Sequence, residues 1–249
     1  MRQCGNRITK RREAVSEHEM DVIAVVNGKG GVGKTTLARA LGSAVVGGGM
    51  RVAFIDSDPQ LSVVEWAERS KEAGLWSTAA SVVAVESPAE MAQQINDLYE
   101  REAADVVIID TAGVTFSALG SIVAASDHIV MPCTPNVDDV SRTLKTAEML
   151  KELGQDGAHI TFVLNRVGSN LTRIEDEQIA RLEQHHAVAP VRMRERDIYK
   201  RMAKEGLLSS VLKQKVDEGT IRSLAEARRV REALMETVEL LNIVMGLEE

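Results

Sequence analysis

Short apolar runs alternate along this chain with longer stretches whose apolar positions return every three or four residues. The first kind reads as buried strand, the second as amphipathic helix. Strands are predicted at Val22–Val26, Arg51–Asp56, Ser81–Val85, Asp105–Asp110, His128–Met131, Ile160–Leu164 and Val188–Val191. Helices are predicted at Thr35–Val46, Leu61–Ala73, Pro88 to about Glu102, Ser117–Ala125, Val137–Leu153, Thr172 to about His185, Asp197–Lys204 and Thr220–Met245. Local chemistry marks several ends. Gly47-Gly48-Gly49 stops the first helix. Ser87-Pro88-Ala89-Glu90 offers an N-cap, a proline at the first helical position and a glutamate at the third. Thr172-Arg173-Ile174-Glu175 has the form of a capping box. Strands alternating with helices imply an α/β fold, a mostly parallel twisted sheet with helices on both faces. Ligands of such sheets collect at the carboxyl ends of the strands.

Composition narrows the class without changing that picture. The chain has 249 residues, 44% of them hydrophobic and 27% charged, which suits one globular α/β domain. Aromatics are only 3%, so the core must be aliphatic. Residues 1–19 are polar and mildly basic and read as a flexible arm, leaving 20–249 as a single domain. The arm has no apolar stretch of the kind a secretory signal carries. No apolar run is long enough to span a bilayer. Two cysteines, Cys4 and Cys133, cannot build a disulfide framework or a metal site, so a reducing cytoplasm is expected.

The chemistry concentrates between Asn27 and Thr36. Gly28 to Thr35 fits G-x-x-x-x-G-K-[ST], the loop that cradles phosphates. Gly28, Gly30, Gly31 and Gly33 let backbone N–H groups turn inward, with Val32 between them. Lys34 supplies a point charge for the β- and γ-phosphates, and the Thr35 hydroxyl can ligate Mg²⁺. Thr36 and the helix that follows present an N-terminus to the anion. The loop lies between a predicted strand and a predicted helix, the context the motif requires. Asp110, ending the apolar strand Val106-Val107-Ile108-Ile109, is the expected second Mg²⁺ ligand, directly or through water. Gly113 after it is placed to sense a γ-phosphate. The guanine-reading Asn-Lys-x-Asp is absent, since the run is Asn165-Arg166-Val167-Gly168, so ATP is favoured over GTP.

Lys29, one residue past the first glycine, has no task in an ordinary phosphate loop. With it the loop resembles the deviant Walker A of the P-loop family that includes ParA and MinD. The resemblance spans roughly residues 21–215 and is closest to small ParA-type partition ATPases that lack an N-terminal helix-turn-helix domain. It implies that Lys29 reaches across a dimer to the partner's nucleotide. It implies that Asp58, in Ile55-Asp56-Ser57-Asp58-Pro59-Gln60, orients or activates the attacking water, with Asp56 supporting the Mg²⁺ shell. It implies that Asn165 contacts adenine. Asp110-Thr111-Ala112-Gly113 departs from the family's Asp-x-Pro-Pro. The implied cycle uses ATP and Mg²⁺ to form a sandwich homodimer that binds duplex DNA nonspecifically. A ParB-like centromere-binding protein then stimulates slow hydrolysis, so that a plasmid or chromosome is segregated in a cytoplasmic, nucleoid-associated setting. Two alternatives stay open, a MinD-like membrane regulator and a ParA-like ATPase that positions a protein cargo. The acidic C-terminus speaks against the membrane.

Charge bears on the DNA expectation. The net charge is −7, yet residues 192–231 hold twelve basic against six acidic residues. Such asymmetry marks a candidate polyanion face. Arg222, Arg228, Arg229 and Arg231, near or on one predicted helix, are the expected DNA contacts, with Arg194 and Arg196 beside them.

Overall fold

The computed structural model describes residues 19–112, 116–153 and 160–247, without the side chains of 116–118. Most of the expected arm (1–18), Gly113 and Gly154 lie outside the described residues. Six strands form one sheet in the order β3-β2-β4-β1-β5-β6. They are β1 (Asp21–Val25), β2 (Val52–Asp56), β3 (Ala80–Ala84), β4 (Val106–Asp110), β5 (His128–Cys133) and β6 (Ile160–Leu164). Every strand pair is parallel.

The apolar runs are buried on both sides, and successive residues serve opposite layers as strand geometry requires. Ile23, Val25, Val52, Phe54, Val106 and Ile108 face one hydrophobic layer. Val22, Ala24, Ala53, Ile55, Val107 and Ile109 face the other. Full burial of one such side chain contributes about 1.5–3 kcal/mol, so the continuous Val/Ile pattern is what fixes these strands at the centre.

The first layer is covered by α1 (Lys34–Gly47), α2 (Ser62–Glu72), α7 (Asp197–Glu205), α8 (Leu208–Glu218) and α9 (Ile221–Val244). The second is covered by α3 (Pro88–Glu100), α4 (Phe116–Ala124), α5 (Val137–Glu152) and α6 (Arg173–His185). Both expected caps are present. The Ser87 hydroxyl accepts from the Glu90 amide, and Thr172 with Glu175 closes a reciprocal capping box.

Two expectations fail. Val188–Val191 is no strand. It touches the sheet through isolated bridges, Phe162 with Val188 and, further on, Val167 with Arg194. The chain there is tied by single bonds, the Ala189 amide to the Phe162 carbonyl at 2.8 Å and the Met193 amide to the Leu164 carbonyl at 2.9 Å. Conversely, α8 was not expected, although Leu208, Val211 and Leu212 are its buried stripe at helical spacing. It is short and begins just past Gly206, so polar Ser209-Ser210 and Lys213-Gln214-Lys215 mask the period.

Three aromatics, Phe54, Trp66 and Trp76, gather beside β2. Phe54 meets Trp66 edge-on with ring centroids 5.7 Å apart, and Trp66 meets Trp76 at 5.3 Å. The Trp66 indole donates to the Met202 carbonyl at 2.8 Å, joining α2 to α7. Gly42 of α1 rests directly on the Phe54 ring, and a Cβ there would lie 2.0 Å from it. Gly42→Ala should therefore destabilise the fold by about 1–3 kcal/mol through overpacking, despite the better helix propensity of alanine. A denaturant midpoint equal to that of the parent protein would show that the ring moves aside without cost.

Candidate functional site

The site forms where β1, β2, β4 and β6 end. Register places Asp110 of β4 beside Val25 of β1 and opposite Asp56 of β2. The loop from Val26 to Gly33 leaves β1 at that edge and enters α1. Gly31 (φ +85°) and Gly33 (φ +96°) adopt left-handed backbone, which glycine reaches without steric cost. Gly33 is the N-cap of α1. Lys34 folds back so that its Nζ donates to the Lys29 carbonyl at 3.2 Å. Burial lowers the Lys34 pKa, while Asp110 and Asp58 pull it the other way.

Groups far away in sequence hold this loop. Asn27 donates through Nδ2 to the Pro132 carbonyl (2.9 Å) and the Thr143 hydroxyl (2.8 Å). Its Oδ1 accepts from the Lys29 amide at 2.9 Å. The Gly28 amide donates to the Thr146 hydroxyl at 3.2 Å. Asn165, buried at the end of β6, donates to the Val32 carbonyl at 2.7 Å. A Cβ on Gly33 would meet the Asn165 Nδ2 at 2.3 Å, so the glycine is required by close approach as well as by φ. Thr143 and Thr146 were missed in the sequence. The available signal was two threonines on the buried face that α5 otherwise fills with Val140, Ala147 and Leu150.

Asp110 is buried and neither carboxylate oxygen has a hydrogen-bond partner. Burial pushes its pKa up to about 7; Asp56 adds to the rise, while Thr35, Arg39 and Lys34 oppose it. An orphaned buried carboxylate close to the Thr35 hydroxyl fits a Mg²⁺ site completed by water and phosphate oxygens, as Mg²⁺ prefers. Among the described residues no cluster of three or more His, Cys, Asp or Glu side chains could hold a metal alone.

The structure gives Asp56 a structural task. Its Oδ2 accepts from the Val63 and Val64 amides at 2.8 and 3.2 Å, and its Oδ1 from the Asp58 amide at 3.2 Å. Those are free N–H groups at the start of α2, so Asp56 anchors that helix in place of a cap. Both its oxygens accept backbone bonds there. Burial raises its pKa and the backbone bonds lower it. Asn165 likewise braces the loop here: besides its bond to Val32, its Oδ1 accepts from the Arg166 amide at 3.0 Å.

A cavity of about 460 Å³ opens over the loop, lined by Gly30, Gly31, Gly33, Lys34, Thr35, Thr36, Asp58, Gln60, Ser62, Ala112 and Arg166. Asp58 is its only acid among the described residues. Lys29 does not line it. Beneath lies Arg39, which sequence reading also missed. This buried arginine on α1, four residues after Thr35, donates to the Ser62 carbonyl at 2.6 Å. Its guanidinium lies 5.4 Å from the Trp66 ring centroid. Burial lowers its pKa, and Asp110 is the strongest influence raising it.

The six arginines named for DNA do not share one face. Arg222 and Arg229 are seven residues apart on α9 and align, whereas Arg231 lies about 200° around the helix from Arg229. Arg196 is paired with Glu236 at 2.8 Å and Glu232 at 3.3 Å, Arg228 with Glu232 at 3.3 Å and Arg222 with Glu226 at 3.8 Å. Arg194, Arg196 and Arg231 do meet, with Arg192, along a groove of about 800 Å³ that also holds Glu232, Glu236 and Glu239.

With this geometry in hand, comparison with known proteins gives a consistent result. The family model described as VirC1 protein matches residues 20–249. Protein virC1 of Rhizobium radiobacter is 25% identical over 233 residues, 92% of this chain and 100% of that one. The maintenance of carboxysome distribution protein A of Gloeobacter kilaueensis is 37% identical over 131 residues, 50% of this chain and 54% of that one. The solved ATP complex of a Cyanothece McdA variant superposes with a TM-score of 0.67 at 18% identity, covering 94% of this chain and 99% of that one, a likeness of fold.

The raised Asp110 pKa carries a sign. An acid whose folded pKa (about 7) exceeds its ordinary 3.8 binds its proton more tightly when folded. Stability of the metal-free, nucleotide-free protein should then be greatest below about pH 4 as far as this group is concerned, decline as pH rises, and level off above about pH 7. Asp110→Asn should flatten that decline and raise the melting temperature at pH 8. Thermal melts in EDTA across the window would test it; a parent profile indistinguishable from that of the variant would contradict the buried, uncompensated charge.

Proposed function

This chain belongs to the VirC1 protein family, among the small ParA/MinD-type P-loop ATPases, and on that premise we propose that it is a Mg²⁺-dependent ATPase driving partition of DNA. One observation carries the reading: a complete phosphate loop, a buried unpaired Asp110 and a cavity-facing Asp58 converge at the ends of adjacent parallel strands. The inward amides of Gly30 to Thr36, the Lys34 ammonium and the N-terminus of α1 bind the phosphates of ATP. Thr35 and Asp110 would hold Mg²⁺, which would offset charge on the β- and γ-phosphates. Asp58 orients the attacking water and accepts its proton at a carboxylate oxygen. Asn165 keeps the loop in register and is the residue assigned to adenine.

Lys29 leaves its own cavity while its backbone carbonyl holds Lys34. A lysine so placed is available to a second copy, which supports an ATP-bound sandwich homodimer completed in trans. The ATP-bound dimer binds duplex DNA without sequence preference, and a ParB-like centromere-binding protein accelerates hydrolysis and releases it. The chain would then work in the cytoplasm on the nucleoid, with plasmid or chromosome as cargo. The DNA contacts we favour are Arg192, Arg194 and Arg231, which line the groove and make no ion pair among the described residues, with exposed Arg229 as an outlying contact. Arg196, Arg222 and Arg228 are partly neutralised by their glutamates.

A second reading, positioning of a protein cargo, is supported by the 37% identity to a carboxysome distribution protein. The two share the ATPase cycle and differ in partner. A MinD-like membrane role finds less support. Leu240, Leu241 and Val244 of the last helix are buried in the core and so unavailable as a lipid-binding face. No described helix is long and apolar enough to cross a membrane.

Lys34→Ala should weaken ATP binding at least tenfold, the scale of a lost charged hydrogen bond. Asp58→Ala should keep ATP and accumulate as a dimer, and Lys29→Ala should bind ATP yet lose partner-stimulated hydrolysis. Size-exclusion with ATP and a phosphate-release assay check the set; an Asp58→Ala protein that stays monomeric would sink the trans arrangement.

Arg194→Glu with Arg231→Glu should weaken ATP-dependent binding to two unrelated duplexes by similar factors while unstimulated ATPase persists. Affinity of the parent protein should fall with salt at a log–log slope of about −0.9 per phosphate contact. Salt-insensitive binding, or loss on one sequence only, would count against phosphate recognition.

A further inference from the structure

Among the described residues Arg166 is the one arginine that opens onto the phosphate-loop cavity. It follows Asn165, the residue that clamps the Val32 carbonyl. Its backbone is left-handed (φ +54°), a conformation that disfavours residues with a side chain. The amide is held there by the Asn165 Oδ1 at 3.0 Å. Non-glycine residues kept in such conformations concentrate at functional sites. Here the consequence is directional. The turn sends the side chain back over the loop, placing Nε 3.8 Å from where a Cβ of Gly33 would lie.

The side chain is exposed and makes no ion pair or hydrogen bond among the described residues. It thus differs from Arg196, Arg201, Arg222 and Arg228, each of which has a glutamate. Charge in the cavity is also unbalanced. Lys34 is buried and already shared with the Lys29 carbonyl, and Asp58 is negative. Among the described residues, a polyphosphate entering there meets only one other cationic side chain from the same chain, Lys34. An arginine presents five N–H donors in a fixed plane, matched to two phosphate oxygens at once.

We propose that Arg166 is a nucleotide-binding residue that grips the phosphate chain in cis, from the β6 side of the cavity, opposite Lys34. The assignment rests on the ATPase reading above and deepens it. The chain would close on its own nucleotide with two cations, Lys34 from beneath and Arg166 from above, before any second copy arrives.

The test uses the full chain and three ligands, ATP, ADP and inorganic tripolyphosphate, each measured by calorimetry or competition with a fluorescent ATP analogue. Arg166→Ala should lose about ten- to hundredfold in affinity for all three, the scale of a charged hydrogen bond. Arg166→Lys, which keeps the charge but not the fork, should recover part of that loss. The melting temperature of the ligand-free variants should match the parent protein, since an exposed, unpaired side chain is removed. Unchanged affinity in Arg166→Ala would overturn the proposal while leaving the ATPase reading intact. So would a loss confined to ATP and ADP with tripolyphosphate unaffected, which would assign the side chain to the base or ribose. A drop in ligand-free melting temperature that Arg166→Lys fails to restore would make the residue structural and overturn the proposal. A folded parent protein that binds none of the three ligands would overturn the ATPase reading, and this assignment with it.

Discussion

A carboxylate at the end of a fully apolar strand is the constraint around which this molecule is arranged. Asp110 is carried into the interior by Val106 to Ile109, whose side chains fill both hydrophobic layers. Among the described residues neither of its oxygens has a partner within hydrogen-bond geometry, and the Thr35 hydroxyl is the nearby group that most favours its charged form. A buried anion without partners is costly, and proteins tolerate one mainly where a ligand or metal will meet it. The surrounding cations are arranged accordingly. Lys34 and Arg39 both come from α1 and both lower the Asp110 pKa, yet neither donates a hydrogen bond to it. The ligand-free protein thus holds a charge imbalance that a divalent cation can relieve.

The neighbouring Asp56 shows the other solution to the same problem. It stands opposite Asp110 in register and is just as deeply buried, but three backbone amides satisfy it. By binding the first turn of α2 it also fixes the short loop that carries Asp58 to the cavity. Two adjacent carboxylates therefore differ in hydrogen bonding because one faces a helix start and the other, just as buried, is met by no donor among the described residues. Spacing in the sequence does not reveal that difference, since both end apolar strands.

What the sequence made legible follows from the range of the interactions involved. The parallel sheet, the phosphate loop and the caps at Ser87 and Thr172 depend on residues a few positions apart, and periodicity and turn chemistry report them directly. Membership of the ParA/MinD-type ATPases follows from the same contiguous stretch with its early lysine. The brace on that loop does not. Thr143, Thr146 and Asn165 lie more than a hundred residues from Asn27, Gly28 and Val32, the loop residues they hold, and only the topology brings them together. The arginine cluster failed for a related reason. Counting charge along a segment ignores the 100° step of a helix, so residues close in sequence were dispersed around α9 and several were paired with glutamates. Helix α8 was lost because its apolar stripe is short and flanked by polar residues.

The last helix has a mechanical consequence. α9 runs through the first layer and packs against α1, the helix that begins at the phosphate loop. The groove bearing Arg194 and Arg231 is built partly on that same helix. Groove and loop are therefore two ends of one rigid pair of elements. If nucleotide shifts α1 against α9, the groove must change shape, and a ligand that prefers one shape must alter nucleotide affinity by the same factor. Such linkage runs equally in both directions, so a ligand bound at the groove would act as an effector of the nucleotide site, without touching it.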